Sequence, residues 1–240
     1  NRDHFDRPLT EFGQVTEIDI TIPQPPAEPL PQASEVDTAK ARQILAEVVK
    51  AYGGLENLKA VKTVASQGRM SVETPMGRMD MTVKHASVLP DKWRLDMNIP
   101  QAGDMSYVFN GQSAWMVTPQ GTQPFPESVV EEFKKGAVRE TIQLLVNLSN
   151  NQIPVQYLGT EDVKGKSADV IQVNLPGDAL KLFIDPESKY IVKKAYRALA
   201  EEGPVDEEEF TEDYREVGGI KIGYHVVTHR NGVPYAEVTF

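Results

Sequence analysis

From Val61 onward the chain alternates apolar and polar residues with period two, and reverse-turn signals interrupt the alternation at short intervals. The signals are Pro75-Met76-Gly77, Pro90-Asp91, Asn110-Gly111 and Pro119-Gln120-Gly121. After Asn151 they continue as Lys164-Gly165, Pro176-Gly177-Asp178, Asp185-Pro186-Glu187-Ser188, Gly218-Gly219 and Asn231-Gly232. Successive side chains of a strand point to opposite faces, so period two describes a sheet with one wet face and one dry face. The segment Lys92–Ile99 shows it most clearly, with Trp93, Leu95, Met97 and Ile99 on one side and charged or polar residues on the other. Turns this short join antiparallel neighbours, whereas a parallel sheet needs a long crossover after nearly every strand. The pattern therefore predicts a mainly β chain with a few helices, an α+β protein of about 11 strands in one continuous antiparallel run.

Helical spacing occurs in two places. Ile44, Leu45, Val48, Val49 and Tyr52 form one stripe, Ser34 and Asp37 make a capping-type start, and Gly53 suits the position after the last turn. These features predict a helix over about 36–52, with a shorter one over Leu55–Ala60. Residues 126–149 carry Val129, Val130 and Phe133, then Val138, Ile142, Leu145, Val146 and Leu148, which fits two short helices with Pro126 at the first helical position.

The first residues read differently. Val15–Ile20 has a short strand pattern, and Pro23, Pro25, Pro26, Pro29 and Pro31 follow it as a semi-rigid spacer. The expected organisation is a tail over 1–22, a proline-rich linker over 23–35 and a single large domain over 36–240. Asn1 in place of Met, with no leader pattern after it, reads as a processed or excised part of a longer polypeptide.

Composition narrows the partners. A formal charge of −10 argues against a general nucleic-acid or anionic-membrane surface, because neutralising phosphate requires clustered Lys and Arg. No apolar run approaches the roughly 20 residues of a membrane-spanning helix. With no cysteine in the chain, disulfides and thiolate metal sites are excluded. His225 and His229 stand four residues apart on one strand face, about 13 Å along an extended chain, too far to share an ion. His4 and His85 belong to no zinc-binding motif. The acidic run Glu201-Glu202, Asp206–Glu209 and Glu212-Asp213 lacks the spaced ligands of a calcium loop and reads as a solvated hairpin edge. No nucleophile elbow, phosphate loop or dinucleotide fingerprint is present, so no catalytic residue, metal or cofactor is expected.

One strand face carries the functional signal. Val64, Met70 and Val72, then Met79, Met81 and Val83, then Trp93, Leu95, Met97 and Ile99, then Met105, Tyr107 and Phe109 all share it, and the set holds five of the seven methionines. Methionine is flexible and polarizable, which suits a surface that accepts irregular apolar ligands. The competing reading is an ordinary core under the helices. A sheet this wide has more apolar area than a few short helices cover, so the candidate ligand-lining residues are Met70, Met79, Met81, Trp93, Leu95, Met97, Met105, Tyr107, Phe109 and Trp115.

Two segments resemble known families. Ala51-Tyr52-Gly53-Gly54-Leu55-Glu56-Asn57-Leu58-Lys59-Ala60-Val61-Lys62-Thr63, leading into Ser66–Met70, resembles the start of LolA-like outer-membrane lipoprotein-sorting domains. Pro90–Arg94, Phe109–Trp115 and Gly223–Val227 agree with it. The resemblance spans about 37–240 and implies an open antiparallel half-barrel with inner helices, sheltering lipid or lipoprotein acyl chains in the periplasm. Asn1–Phe5 and Phe12–Ile20 are similar to the closing helix and last strand of an insulinase/pitrilysin-type zinc peptidase domain, implying a peptidase upstream in the same polypeptide. The expected function is a non-catalytic periplasmic or secreted binding module for an apolar ligand. The alternative is an accessory C-terminal domain that positions substrate for an attached zinc peptidase. A stand-alone hydrolase lacks the usual nucleophile and metal motifs.

Overall fold

The computed structural model describes residues 34–100, 103–200 and 203–240. The expected tail over 1–22, its peptidase resemblance and nearly all of the proline-rich linker lie outside the described residues. The described residues belong to one compact unit.

Helices α1 (Glu35–Ala51) and α2 (Leu55–Ala60) come first, followed by strands β1 (Thr63–Thr74), β2 (Gly77–Val88), β3 (Lys92–Ile99), β4 (Gly103–Phe109), β5 (Ala114–Thr118) and β6 (Gly121–Pro124). Helices α3 (Glu127–Arg139) and α4 (Thr141–Leu148) interrupt the series. It resumes with β7 (Val155–Val163), β8 (Lys166–Leu175), β9 (Asp178–Ile184), β10 (Ile191–Ala200), β11 (Gly203–Val217), β12 (Ile220–Arg230) and β13 (Val233–Thr239). All the strands join one open antiparallel sheet in the order β6-β5-β4-β3-β2-β1-β13-β12-β11-β10-β9-β8-β7.

The helices start and stop where their side chains dictate. Ser34 Oγ accepts the Asp37 amide at 3.1 Å, so α1 begins at Glu35. Ala41, Ile44, Leu45 and Val48 form its buried stripe. Gly53 ends it with φ +110°, and a side-chain carbon there would sit 2.1 Å from the Gly219 carbonyl oxygen, so the close approach of α1 to the β11–β12 turn requires glycine. Pro126 sits one position before α3, as its N-cap. Arg42 of α1 donates to the carbonyls of Leu148, Asn151 and Ile153, satisfying groups at the end of α4 that have no helical partner.

The sheet curls, and α3 shows it. Phe133 of α3 packs on Trp93 of β3 with ring centroids 4.8 Å apart, and Arg139, six residues along, stacks on Tyr196 of β10 at 4.0 Å. Those two residues are about 9 Å apart along the helix axis. In a flat sheet β3 and β10, separated by six strand steps, would lie about 29 Å apart. The two contacts are compatible only because the sheet bends around the helix, which makes the helix-bearing face the concave one.

The largest core joins α1, α2 and α4 to the far half of the sheet through Leu45, Val48, Tyr52, Leu58, Leu144, Leu145, Ile171, Leu180 and Leu182. A second cluster sets α3 on the near half through Phe109, Ala114, Val130 and Ala137, with Trp93, Phe125 and Phe133 around them.

Two expectations are corrected. The strands among the described residues number 13 rather than about 11. Among those without a clear period-two signal is β6, a four-residue edge whose burial pattern is exposed throughout. The acidic run is no hairpin edge either: β11 is interior to the sheet, between β10 and β12. Its carboxylates find cations on neighbouring strands, Glu209 on Lys194 at 2.7 Å, Glu208 on Lys193 at 2.5 Å, Asp206 on Arg197 at 2.7 Å and Glu207 on Arg230 at 2.8 Å. Three of these cations stand on β10 and one on β12, so the two neighbouring strands between them neutralise four consecutive acidic residues.

Candidate functional site

Cross-strand register lays the inner face of β1–β4 out in rows. Directly paired residues point to the same face of a sheet, so each row is a line of side chains crossing the strands. The first row is Val64–Ser87–Trp93–Phe109, and the second is Ser66–His85–Leu95–Tyr107. The third is Gly68–Val83–Met97–Met105, and beyond it stand the pairs Met70–Met81 and Val72–Met79.

The rows differ in what covers them. Trp93 and Phe109 of the first row lie under α3, and Phe109 is only 1% exposed. The outer rows form a cluster of strand residues alone, with Met81, Val83 and Met97 buried, and Met70, Val72, Met79, Leu95, Ile99, Met105 and Tyr107 half-buried around them. No helix residue belongs to that cluster, in contrast to the other two cores on the inner face.

Nine of the ten residues expected to line a ligand site therefore share one face. Trp115 does not. Tyr107 pairs with Met116 and Phe109 with Ala114, so Trp115, paired with Val108, points to the opposite face. Phe109 is on the expected face but is filled in by α3.

Two hollows adjoin this face. One of about 280 Å³ lies between β2–β3 and α3, lined by His85, Ser87, Leu89, Trp93, Leu95, Ala137 and Glu140. The other, about 950 Å³, is an opening between β1 and β12. There β13 pairs with β1 only over Arg69–Val72, and Thr63–Gln67 of β1 face Ile220–Tyr224 of β12 with Phe240 at the top. His85, Ser87 and Glu140 border both hollows. Sequence reasoning weighed His85 only as a zinc ligand and passed over Ser66, Ser87 and Glu140. Period two places the first two on the inner face, two residues from Val64 and four from Val83, but only the fold brings Glu140 of the α3–α4 junction to them.

The electrostatics of the inner face divide in the same way. Burial holds the His85 imidazole below its ordinary range, favouring the neutral ring. Farther along, Arg139 is buried and pairs with Asp178 at 2.6 Å and Glu132 at 2.9 Å. Tyr196 donates to Glu207 at 2.8 Å, and burial beside Glu209 and Glu207 pushes its hydroxyl strongly upward. This network is saturated by its own members and joins α3 to the far strands. Among the described residues no group of three His, Asp or Glu is placed to hold a metal. His225 instead bonds Glu237 at 3.0 Å, and His229 packs against the Phe210 ring.

No protein-family profile matches the chain, and neither does any curated protein. Solved structures do. A domain named for outer membrane lipoprotein sorting from Vibrio parahaemolyticus aligns with TM-score 0.52 at 10% identity, over 84% of this chain and 90% of its own. A LolA superfamily protein from Nitrosomonas europaea gives 0.55 at 10% identity, over 82% and 90%. The chain has the LolA-like fold. A DUF1329 family protein from Desulfovibrio piger shares it, with TM-score 0.56 at 7% identity over 85% and 90%. In this LolA-like sheet the uncovered rows lie on the concave side, and no helix among the described residues is long and apolar enough to cross a membrane.

Proposed function

We propose that the chain is a non-catalytic binding module, working in the periplasm or outside the cell, that shelters a lipid or lipoprotein acyl chain on the inner face of β1–β4. The observation that carries this reading is the methionine cluster of the outer rows, a contiguous apolar surface on the concave side made of strand residues alone. Flexible thioethers conform to an alkyl chain without a fixed shape. Burial of about eight methylenes is worth roughly 6 kcal/mol, enough for useful affinity with no polar anchor. The fold shared with a domain named for lipoprotein sorting supports the choice of ligand class and compartment.

Saturable binding of an environment-sensitive fluorescent acyl probe, displaced by unlabelled lipid, tests the reading. The double variant Met79→Asp/Met105→Asp places two charges on the half-buried rows and is expected to weaken the probe at least tenfold with an unchanged circular dichroism spectrum. Unaltered binding in that variant, or no binding by the wild type, overturns the proposal.

A further inference from the structure

The polar side chains of the inner face of β1–β2 form one band. Ser66 and His85 are cross-strand partners, and Ser87 stands one row along on the same face. None of the three side chains makes a hydrogen bond to another described residue. Ser87 is only 9% exposed, yet it borders both hollows, as His85 does. Their polar atoms are open to the hollows rather than sealed in protein, so the band offers unused donors to whatever occupies that space. The methionine rows lie to one side of the band, and Ser87 itself belongs to the row that continues into Trp93 and Phe109 under α3.

We infer that Ser66, His85 and Ser87 form a subsite for the uncharged ester linkage of an acyl lipid whose chain runs along the methionine rows; the inference rests on the acyl-binding reading above. An ester carbonyl only accepts hydrogen bonds, and two hydroxyls and a ring N–H are donors. The charged groups around the hollows, Glu140 and Asp91 against Lys62 and Lys92, balance in sign, so the band offers a free carboxylate no net positive charge. Glu140, whose carboxylate caps α4 by accepting the Gln143 amide at 2.9 Å, borders both hollows. Lys62, at the rim of the larger hollow, donates to the Lys59 carbonyl at 2.8 Å and keeps its charge. At the rim of the smaller hollow Asp91 and Lys92 contribute one charge of each sign. The neutral His85 ring adds no positive charge.

The test compares monoolein, a neutral ester, with oleate at about pH 8, where the acid is ionised, by displacement of the acyl probe from the whole chain. The wild type is expected to prefer monoolein by roughly fivefold, the worth of one neutral hydrogen bond. His85→Leu and the milder Ser87→Ala should each weaken monoolein by about three- to tenfold and leave oleate unchanged. Equal affinities for the two lipids, or variants that bind monoolein as the wild type does while still displacing the probe, overturn the subsite. If neither lipid displaces the probe and the probe itself does not bind, the acyl-binding reading fails with it.

Discussion

Arg139 places its guanidinium 4.0 Å above the ring of Tyr196 while its Nε bonds Asp178 at 2.6 Å, so the last turn of α3 is fastened to the far half of the sheet. The same helix rests on Trp93 through Phe133. One helix thus holds both halves and sets how far the inner face stays open.

Removing that fastening should be costly. Arg139→Met leaves Asp178, whose side chain is 5% exposed, as a buried charge without its cation. Breaking a buried pair from one side costs about 3–5 kcal/mol, whereas replacing both members by apolar groups is often close to neutral. Urea unfolding should show the full loss for Arg139→Met and recovery of more than half of it in Arg139→Met/Asp178→Leu.

Glu209 ties stability to pH. Burial raises its carboxyl, but Lys194 and the Tyr196 hydroxyl outweigh burial and hold it below the ordinary range. A carboxylate lowered in the folded state contributes stability above the unfolded value of about 4.3, and that contribution is lost as pH falls through the folded value. Wild-type unfolding free energy should therefore decline below about pH 4. Lys194→Met should be less stable by about 3 kcal/mol near neutrality, with the gap narrowing as acid protonates Glu209. Denaturant midpoints across this pH range give the comparison, and a gap independent of pH would refute the assignment.

The junction of α1 with the β11–β12 turn is equally specific. Gly53 lies at φ +110° against the Gly219 carbonyl, and the Lys221 amide bonds the Tyr52 carbonyl at 3.1 Å. Gly53→Ala adds a carbon where none fits and an unfavourable backbone conformation, and should lower stability by about 1–3 kcal/mol in thermal unfolding. Gly54→Ala, with open space around it, should cost less.

Much of this architecture is legible in the residue pattern because alternation reports faces directly. The row Gly68–Val83–Met97–Met105 follows from period two on three strands, and Leu55–Ala60 begins and ends as its spacing predicts. Parity does not survive a turn of unknown length. Phe109 and Ala114 are partners across a four-residue loop, and that length sends Trp115 to the opposite face, which its aromatic character alone could not reveal. The acidic segment misleads for a related reason, since whether Glu209 is solvated depends on Lys194 arriving beside it from another strand. The Ser66–His85 band was invisible as a site because its significance lies in having no protein partner, a property of the assembled sheet.

The two tryptophans allow the central claim to be read directly. Trp93 faces the inner hollow and Trp115 the opposite face. Quenching by a lipid with a brominated acyl chain, measured in Trp115→Phe and in Trp93→Phe, reports where the chain sits. Strong, saturable quenching when only Trp93 remains, and little when only Trp115 remains, is the predicted result. Equal quenching of both, or quenching confined to Trp115, would contradict an acyl chain held on the concave face.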